Sequence, residues 1–161
     1  MKIPLTKGKF AIIDDADEKL ISNYSWQAYY VGRKNSKRWY AGARERITNK
    51  MVYMHRLLSG VDGMLVDHIN GDSLDNRRSN LRPCTNSQNN MNKGPTTTTT
   101  SKYRGVNFDK CRNKWKSRIK VGSRQIFIGR FQLEVEAALA YDKYAKQYFR
   151  EFAKLNFGGM P

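Results

Sequence analysis

A run of low-complexity sequence divides the 161-residue chain, because a Gly-Pro step at 94–95 is followed by five consecutive threonines. This run supplies no apolar side chains for a core, and Gly-Pro opposes helix and strand alike, so we expect a linker over residues 94–101. An edge strand formed by the threonines is the alternative, which the Gly-Pro step disfavours. The chain is therefore expected to fold as two small domains, over residues 1–93 and 102–161.

Before the linker, aromatic and β-branched residues alternate with polar ones in short segments, which is typical of strands. We expect strands over residues 10–14, 26–31, 39–44, 51–55, 64–68 and 80–82. The strand over 51–55 is expected to run into a helical turn at 56–58. Thr85 and Gln88 have the spacing of a capping box, which predicts a short helix that extends to about Asn92.

After the linker, three strands are expected over residues 103–108, 114–121 and 124–131, the last two joined by a Gly-Ser hairpin turn. A helix is expected from residue 134 to residue 149, because apolar residues recur there with helical spacing. Its expected buried face holds Val135, Ala138, Leu139, Ala145 and Phe149. The predicted fold class is α+β: antiparallel strands lead into a strand–strand–helix motif, and a three-stranded antiparallel sheet packed on one helix follows.

The chain is strongly basic, with 30 Lys and Arg residues against 14 Asp and Glu, a net charge of +16. Both expected domains share this excess, with 16 basic residues against 9 acidic up to residue 93 and 14 against 5 after it. Such a field attracts phosphate backbones, so nucleic acid is the expected partner, and an anionic membrane surface is the weaker alternative. No protein partner is implied.

Other function classes are disfavoured by what the sequence lacks. No apolar stretch reaches the roughly 20 residues of a membrane span, and no signal-peptide pattern follows Met1. Cys84 and Cys111 have no close cysteine partners, and the chain has only two histidines, so no structural zinc site is expected. These features predict a cytoplasmic protein, in the host cytoplasm if a phage or mobile element encodes it.

One segment combines the residue types that phosphodiester hydrolysis needs. Asp67 and His68 are adjacent, an Asn-Gly turn follows at once, and Asn80 and further asparagines lie downstream. Histidine can deprotonate a water near neutral pH, and carboxylate and amide oxygens suit a divalent ion that neutralises charge on the phosphate. In an extended strand Asp67 and His68 point to opposite faces, so a bulge or a helix packed across the hairpin is needed to bring both to one phosphate.

This segment resembles the HNH, or ββα-metal, endonucleases of the phage and intron homing type, whose third motif position is Asn. The resemblance rests on Asp67-His68, the Asn-Gly turn, Asp75-Asn76-Arg77, Asn80-Leu81 and Gln88-Asn89 with Asn92. It implies that His68 is the general base and that Asp67 and Asn89 hold one Mg²⁺ or Mn²⁺ ion. It also implies that Asn80 shapes the hairpin connection and orients the histidine.

Several residues near this motif have more than one possible role. Asn86 and Asn90 are rivals of Asn89 as the second metal ligand. His55 either joins the site or is a buried, hydrogen-bonded histidine. Three arginines are candidate phosphate contacts, with solvated surface as the alternative: Arg77, Arg78 and Arg82.

Residues 102–157 resemble the APETALA-type, or ethylene-response-factor, DNA-binding domain. The matching segments are 103–106, 115–120, 127–129, 137–142 and 155–157. In that family a three-stranded sheet lies in the major groove, which implies DNA contacts from Arg104, Trp115, Arg118, Lys120 and Arg130. Period-two spacing adds Lys116 to the face of Arg118 and Lys120, and it turns Trp115 toward the core. The chain departs from the family pattern at two positions, Asn107 and Phe127, so the family's base preference cannot be carried over to it.

Together these features predict a metal-dependent, homing-type DNA endonuclease, whose first domain cuts and whose second domain anchors it on double-stranded DNA. One such site cuts one strand per engagement, so a monomer or weak dimer is expected to nick. The alternatives are a non-catalytic, sequence-specific DNA-binding regulator and a structure-specific or RNA-directed nuclease. The regulator is disfavoured because a protein that does not cut DNA has no need of all four motif residues, Asp67, His68, Asn80 and Asn89.

Overall fold

The computed structural model describes residues 1–32, 38–92 and 100–158. The chain divides into two compact units, Met1–Thr85 and Asn86–Pro161. The short helix that follows Thr85 thus belongs to the second unit. Most of the expected linker over 94–101 lies outside the described residues, and its role stays a prediction.

The first unit is built from short antiparallel sheets and two short helices. Its elements are β1 (Lys2–Pro4), β2 (Phe10–Ile12), α1 (Glu18–Ile21), β3 (Gln27–Val31), β4 (Arg38–Arg44), β5 (Met51–Tyr53), α2 (Met54–Ser59), β6 (Leu65–His68) and β7 (Leu81–Cys84). β1 pairs with β2, the order β3-β4-β5 forms a three-stranded sheet, and β6 pairs with β7. All of these pairings are antiparallel, as expected.

The core of the first unit forms where α2 packs against the small side chains of β4. Ala41 and Ala43 lie two residues apart and so share one face of β4, and both are buried. Met54 and Leu58 are one helical turn apart on α2 and belong to the same buried cluster. This packing explains why the expected strand over 51–55 is wrong beyond Tyr53, since the chain turns into a helix at Met54.

The second unit begins with a short helix and continues as a sheet covered by a long helix. Its elements are α3 (Asn86–Met91), β8 (Val106–Asp109), β9 (Lys114–Val121), β10 (Arg124–Phe131) and α4 (Glu134–Phe149). The sheet is antiparallel in the order β10-β9-β8. The mixture of helices and small antiparallel sheets agrees with the α+β class, and α4 has the bounds expected from the sequence.

The buried face of α4 differs in part from the expected one. Ala138, Ala145 and Phe149 are buried as expected, whereas Val135 and Leu139 are 45% and 53% exposed. This part of the prediction is wrong because the two apolar residues lie to one side of the face that meets the sheet.

Asp142 of α4 and Gly105 of the loop before β8 both lie in closely packed surroundings. Asp142 is buried, because its carboxylate accepts hydrogen bonds from the backbone N–H groups of Asn156 and Phe157 at 2.8 Å. Gly105 lies under Tyr141, where a Cβ would come within 2.1 Å of the ring. Close approach of the helix to the loop before β8 therefore requires glycine at position 105.

No helix within the described ranges is long and apolar enough to cross a membrane. Cys84 is buried, Cys111 is exposed, and both are free thiols.

Candidate functional site

The β6–β7 ribbon carries both Asp67 and His68, and each is only 4% exposed. Strand register places Arg82 directly across from Asp67. Arg82 Nη2 donates to Asp67 Oδ2 at 2.8 Å, and Arg82 Nε donates to the same oxygen at 3.1 Å. Arg82 therefore compensates the charge of a buried carboxylate, and its expected contact with a DNA phosphate stays a prediction.

The side chain of Asn80 spans the connection between the two strands. Its Oδ1 accepts from the backbone N–H of Asn70 at 3.0 Å, and its Nδ2 donates to the carbonyl of Asp75 at 2.7 Å. Its own carbonyl accepts from the N–H of Ile69, the residue after His68, at 2.9 Å. The buried amide of Asn80 thus holds the start and the middle of the connection, and its role in orienting the histidine stays a prediction.

The N-terminal strand β2 fixes the middle of the same connection. The N–H of Ile12 donates to the carbonyl of Leu74 at 2.8 Å, and the N–H of Asn76 donates to the carbonyl of Ile12 at 2.7 Å. The segment that follows β2 contributes a charged contact as well, because Asp17 pairs with Arg78 at 2.7 Å. Contacts from the first strands of the chain therefore shape the loop that follows His68.

His68 is held by a side chain to which the sequence analysis assigned no role. Asn76 is 1% exposed, and its Oδ1 lies 3.3 Å from His68 Nε2. Its amide Nδ2 donates to the carbonyl of Leu74 at 3.1 Å, which turns the oxygen toward the imidazole. Asn76 lies in one of the segments that carry the resemblance, but the sequence gives no signal that its side chain contacts the histidine. With its Oδ1 as acceptor, a neutral His68 carries its proton on Nε2, and Nδ1 bears the basic lone pair.

Burial keeps His68 in its neutral form. Desolvation lowers the pKa of His68 from its usual value of 6.5, and the hydrogen bond to Asn76 and the charge of Asp67 partly offset that effect. An imidazole that is neutral at physiological pH can accept a proton, which is what a general base must do.

The structure places His55 next to His68, and a part for His55 in the site stays a prediction. His55 lies on α2, and its ring centroid is 5.2 Å from that of His68 in a T-shaped arrangement. Tyr40 of β4 contacts both rings, at 5.4 Å and 6.2 Å. Burial, with smaller contributions from His68 and Arg56, lowers the pKa of His55 to about 3. In the part of the chain that is described, His55 Nδ1 is buried without a hydrogen-bond partner.

Of the two expected metal ligands, Asp67 lies on the β6–β7 ribbon. No group of three or more His, Cys, Asp or Glu side chains within the described ranges could hold a metal ion. Mg²⁺ keeps several waters and needs only one or two carboxylates, and Asp67 supplies one. Asn89, the expected second ligand, is half-buried on α3 in the second unit. Its role as a ligand stays a prediction, as does that of its rivals Asn86 and Asn90.

Two other arginines near the motif form ion pairs. Arg77 Nη2 lies 2.6 Å from Asp75 Oδ2, and Arg78 Nη2 lies 2.7 Å from Asp17 Oδ1. The carboxylates are buried, whereas about half of each arginine side chain is exposed. Both guanidinium groups therefore remain accessible, and phosphate contacts from them remain predictions.

In the second unit, the side chain of Arg104 binds the end of α3, whereas the other basic candidates lie on the sheet. Its guanidinium donates to the carbonyls of Asn90 and Met91 at the end of α3 and lies 5.9 Å from the ring centroid of Tyr141. Burial lowers the pKa of Arg104. This side chain stabilises the end of a helix, so its expected DNA contact lacks structural support.

The sheet of the second unit carries the other basic candidates. Ser117 and Ile119 are buried and Trp115 packs against the core, as period-two spacing predicts. Lys116, Arg118 and Lys120 alternate with them on β9. Arg118 donates to Gln125 at 3.1 Å, and Arg130 donates to Asp109 at 3.0 Å. DNA contacts from these four basic side chains stay predictions.

Comparisons with known proteins distinguish the two parts of the chain. A family model described as HNH endonuclease matches residues 61–91. Over 151 residues the chain is 30% identical to a protein of Acanthamoeba polyphaga mimivirus named uncharacterized HNH endonuclease, and the match covers 93% of this chain and 76% of that protein.

A second match concerns the C-terminal part alone. Over 59 residues the chain is 42% identical to APETALA2-like protein 2 of Oryza sativa, in the indica and japonica subspecies. That match covers 35% of this chain and 13% of the plant proteins, so it supports a shared domain and not a shared overall function. Because the match to the viral protein covers 93% of this chain at 30% identity, the chain belongs to the HNH endonuclease family and is a DNA-cleaving hydrolase.

Proposed function

We propose that this protein is a metal-dependent, homing-type DNA endonuclease that uses His68 as its general base. The observation that carries the proposal is the buried, neutral imidazole of His68, oriented by Asn76 within the segment that matches the HNH family. The proposal includes a cytoplasmic location, in the host cell if a phage or mobile element encodes the protein.

The hydrogen bonds of His68 suggest how the proton moves. Nε2–H donates to Asn76 Oδ1, so Nδ1 accepts the proton of the attacking water. The oxygen of that water then forms a bond to phosphorus while the bond to the leaving oxygen breaks. A positioned base of this kind contributes about 10²- to 10⁴-fold to the rate.

Asp67 and Asn89 are the proposed ligands of the divalent ion that HNH nucleases generally use. When bound, Mg²⁺ or Mn²⁺ neutralises charge on the phosphate and assists departure of the leaving oxygen. Arg82 holds the Asp67 carboxylate in place from across the ribbon. Asn80 maintains the connection through its hydrogen bonds to Asn70 and Asp75.

The second unit is proposed to anchor the enzyme on double-stranded DNA through the basic face of its sheet. The similarity to the plant proteins supports this role, as does the net charge of +9 after residue 93. Phosphate contacts from β9 give affinity that falls with salt concentration. A monomer with one such site is expected to nick one strand at a time.

Incubation with supercoiled plasmid tests the proposal. Wild-type protein and the His68→Ala variant are compared in Mg²⁺, in Mn²⁺ and in EDTA. We expect nicked circles to appear before linear DNA, only with metal and only with the wild type. Tight DNA binding without cleavage in either metal would refute the nuclease and favour a non-catalytic DNA-binding regulator.

A further inference from the structure

The turn between β4 and β5 carries an isoleucine that is almost fully exposed. Ile47 is 94% exposed, and the next most exposed large apolar side chain in the described ranges, Leu133, is 61% exposed. Single exposed apolar side chains are common on protein surfaces, so exposure alone carries no conclusion. Ile47 is distinguished by the order and the charge of the turn that holds it.

Hydrogen bonds hold this turn, residues 45–50, in one shape. The backbone N–H groups of Glu45 and Asn49 both donate across the turn at 2.9 Å. The hydroxyl of Thr48 donates to the Glu45 carboxylate, and Arg44 Nη1 donates to the carbonyl of Asn49 at 3.0 Å. Ile47 thus sits on an ordered support, so little conformational entropy is lost when it enters a partner.

Basic residues stand on both sides of this exposed side chain in the sequence of the turn. Arg44, Arg46 and Lys50 are all exposed, and the one carboxylate of the turn, on Glu45, accepts the hydrogen bond from Thr48. An apolar side chain between cations suits the minor groove of DNA, where apolar wedges enter between base pairs and cations contact the flanking phosphates. A lipid surface is the weaker fit, because membrane binding needs far more apolar area than one isoleucine.

Strand β4 connects the turn to the candidate active site. Tyr40 of β4 contacts the ring of His68. Arg44, the last residue of β4, lies four positions after Tyr40, and at the usual rise of a strand these four steps span about 13 Å. Half a turn of B-DNA, which separates the two grooves on one side of the duplex, is about 17 Å. The strand from Tyr40 to the turn is therefore no longer than half a turn of B-DNA, so one duplex is long enough to contact both the site and the turn.

We propose that the β4–β5 turn is a second DNA contact, which inserts Ile47 between two base pairs from the minor groove. Arg44, Arg46 and Lys50 contact the phosphates on either side. Insertion unstacks one base step and bends the duplex, by about 20–90° in other proteins that use apolar wedges. This inference rests on the proposed function, because it takes the duplex cut at His68 as the ligand.

The change in linking number of a plasmid measures such unstacking without knowledge of the recognition sequence. Full-length protein is bound to relaxed plasmid in EDTA, and a type IB topoisomerase then relaxes the DNA around it. We expect the wild type to change the linking number and Ile47→Ala to lose at least half of that change. From the apolar area removed, Ile47→Ala is also expected to bind a mixed-sequence duplex about 10-fold more weakly.

Leu20→Ala is the matched control, because Leu20 is a 50% exposed apolar residue of α1 in the same unit. Its linking-number change and affinity should equal those of the wild type. An Ile47→Ala variant that behaves like the wild type in both measurements overturns the proposal. If Arg46→Gln with Lys50→Gln then weakens binding, the turn contacts phosphates only; binding to anionic vesicles that requires Ile47 instead assigns it to a membrane.

Cleavage of the same plasmid in Mg²⁺ separates this inference from the proposed function. Cleavage that persists while Ile47→Ala changes nothing refutes the wedge and leaves the nuclease. A linking-number change that depends on Ile47, without cleavage by the wild type, supports the wedge and refutes the nuclease.

Discussion

Replacement of Asn76 tests how the candidate base is held. Its buried amide lies 3.3 Å from His68 Nε2 and donates to the carbonyl of Leu74 at 3.1 Å. Asn76→Ala leaves both partners buried without that contact, and each such loss costs about 1–3 kcal/mol. We expect the free energy of unfolding to fall by at least about 2 kcal/mol, measured by urea denaturation.

Asn76→Asp keeps the size of the side chain but places a carboxylate beside the imidazole, which raises the pKa of His68. In the wild type burial lowers that pKa, so the neutral base persists below pH 6.5. Because the base acts only when neutral, the acid limb of the pH–rate profile should move up by about one pH unit or more in the variant.

Single-turnover nicking of supercoiled plasmid between pH 5 and pH 9 measures this shift. Activity of Asn76→Asp should approach that of the wild type at pH 8 and fall well below it at pH 6. An acid limb that stays in place in this variant, in protein shown to be folded, would refute the role of Asn76 beside the base.

Three further predictions concern charge. Arg82→Ala removes the hydrogen bonds that Arg82 donates to the buried Asp67 carboxylate and should lower the free energy of unfolding by about 3 kcal/mol, whereas a change below about 1 kcal/mol would contradict the buried pair. His55 stays neutral when folded, with a pKa of about 3, while the unfolded chain takes up a proton below pH 6.5. Stability should therefore fall by about 1.4 kcal/mol per pH unit from pH 6.5 toward pH 3, and His55→Gln should reduce that slope in urea titrations. Arg104→Ala should destabilise the second unit with an unchanged salt dependence of DNA binding, whereas Arg118→Gln should reduce the salt slope by about 1; the reverse pattern would contradict both assignments.

Local sequence patterns were sufficient to predict the elements that are defined by the spacing of residues within one segment. Helix α4 has its expected bounds, Glu134–Phe149, because helical spacing is a property of the segment itself. The choice of its buried face is not local, and Leu139 is exposed because the sheet packs elsewhere on the helix. The expected strand over residues 51–55 wrongly included His55. The helix α2 begins at Met54 because it packs against β4, and this contact is not local in the sequence.

The motif residues of the candidate site could be predicted from the sequence, but the side chains that contact them could not. Asp67 and His68 are adjacent in the chain, and their spacing to Asn80 carries the resemblance. The partner of Arg78 is Asp17, which lies 61 positions away, and no pattern in one sequence pairs such residues. The contact between Asn76 and His68 could likewise not be predicted, although Asn76 lies in the motif, because it depends on a bend in the loop that brings Asn76 back to His68.

The most direct test of the central claim compares the nicking rates of the wild type and His68→Ala under single-turnover conditions in Mg²⁺. Circular dichroism and DNA affinity serve as controls for folding and binding. We predict a loss of about 10²- to 10⁴-fold in rate with unchanged affinity, because only the proton acceptor is removed. Equal nicking rates in the two proteins would contradict the assignment of His68 as the general base.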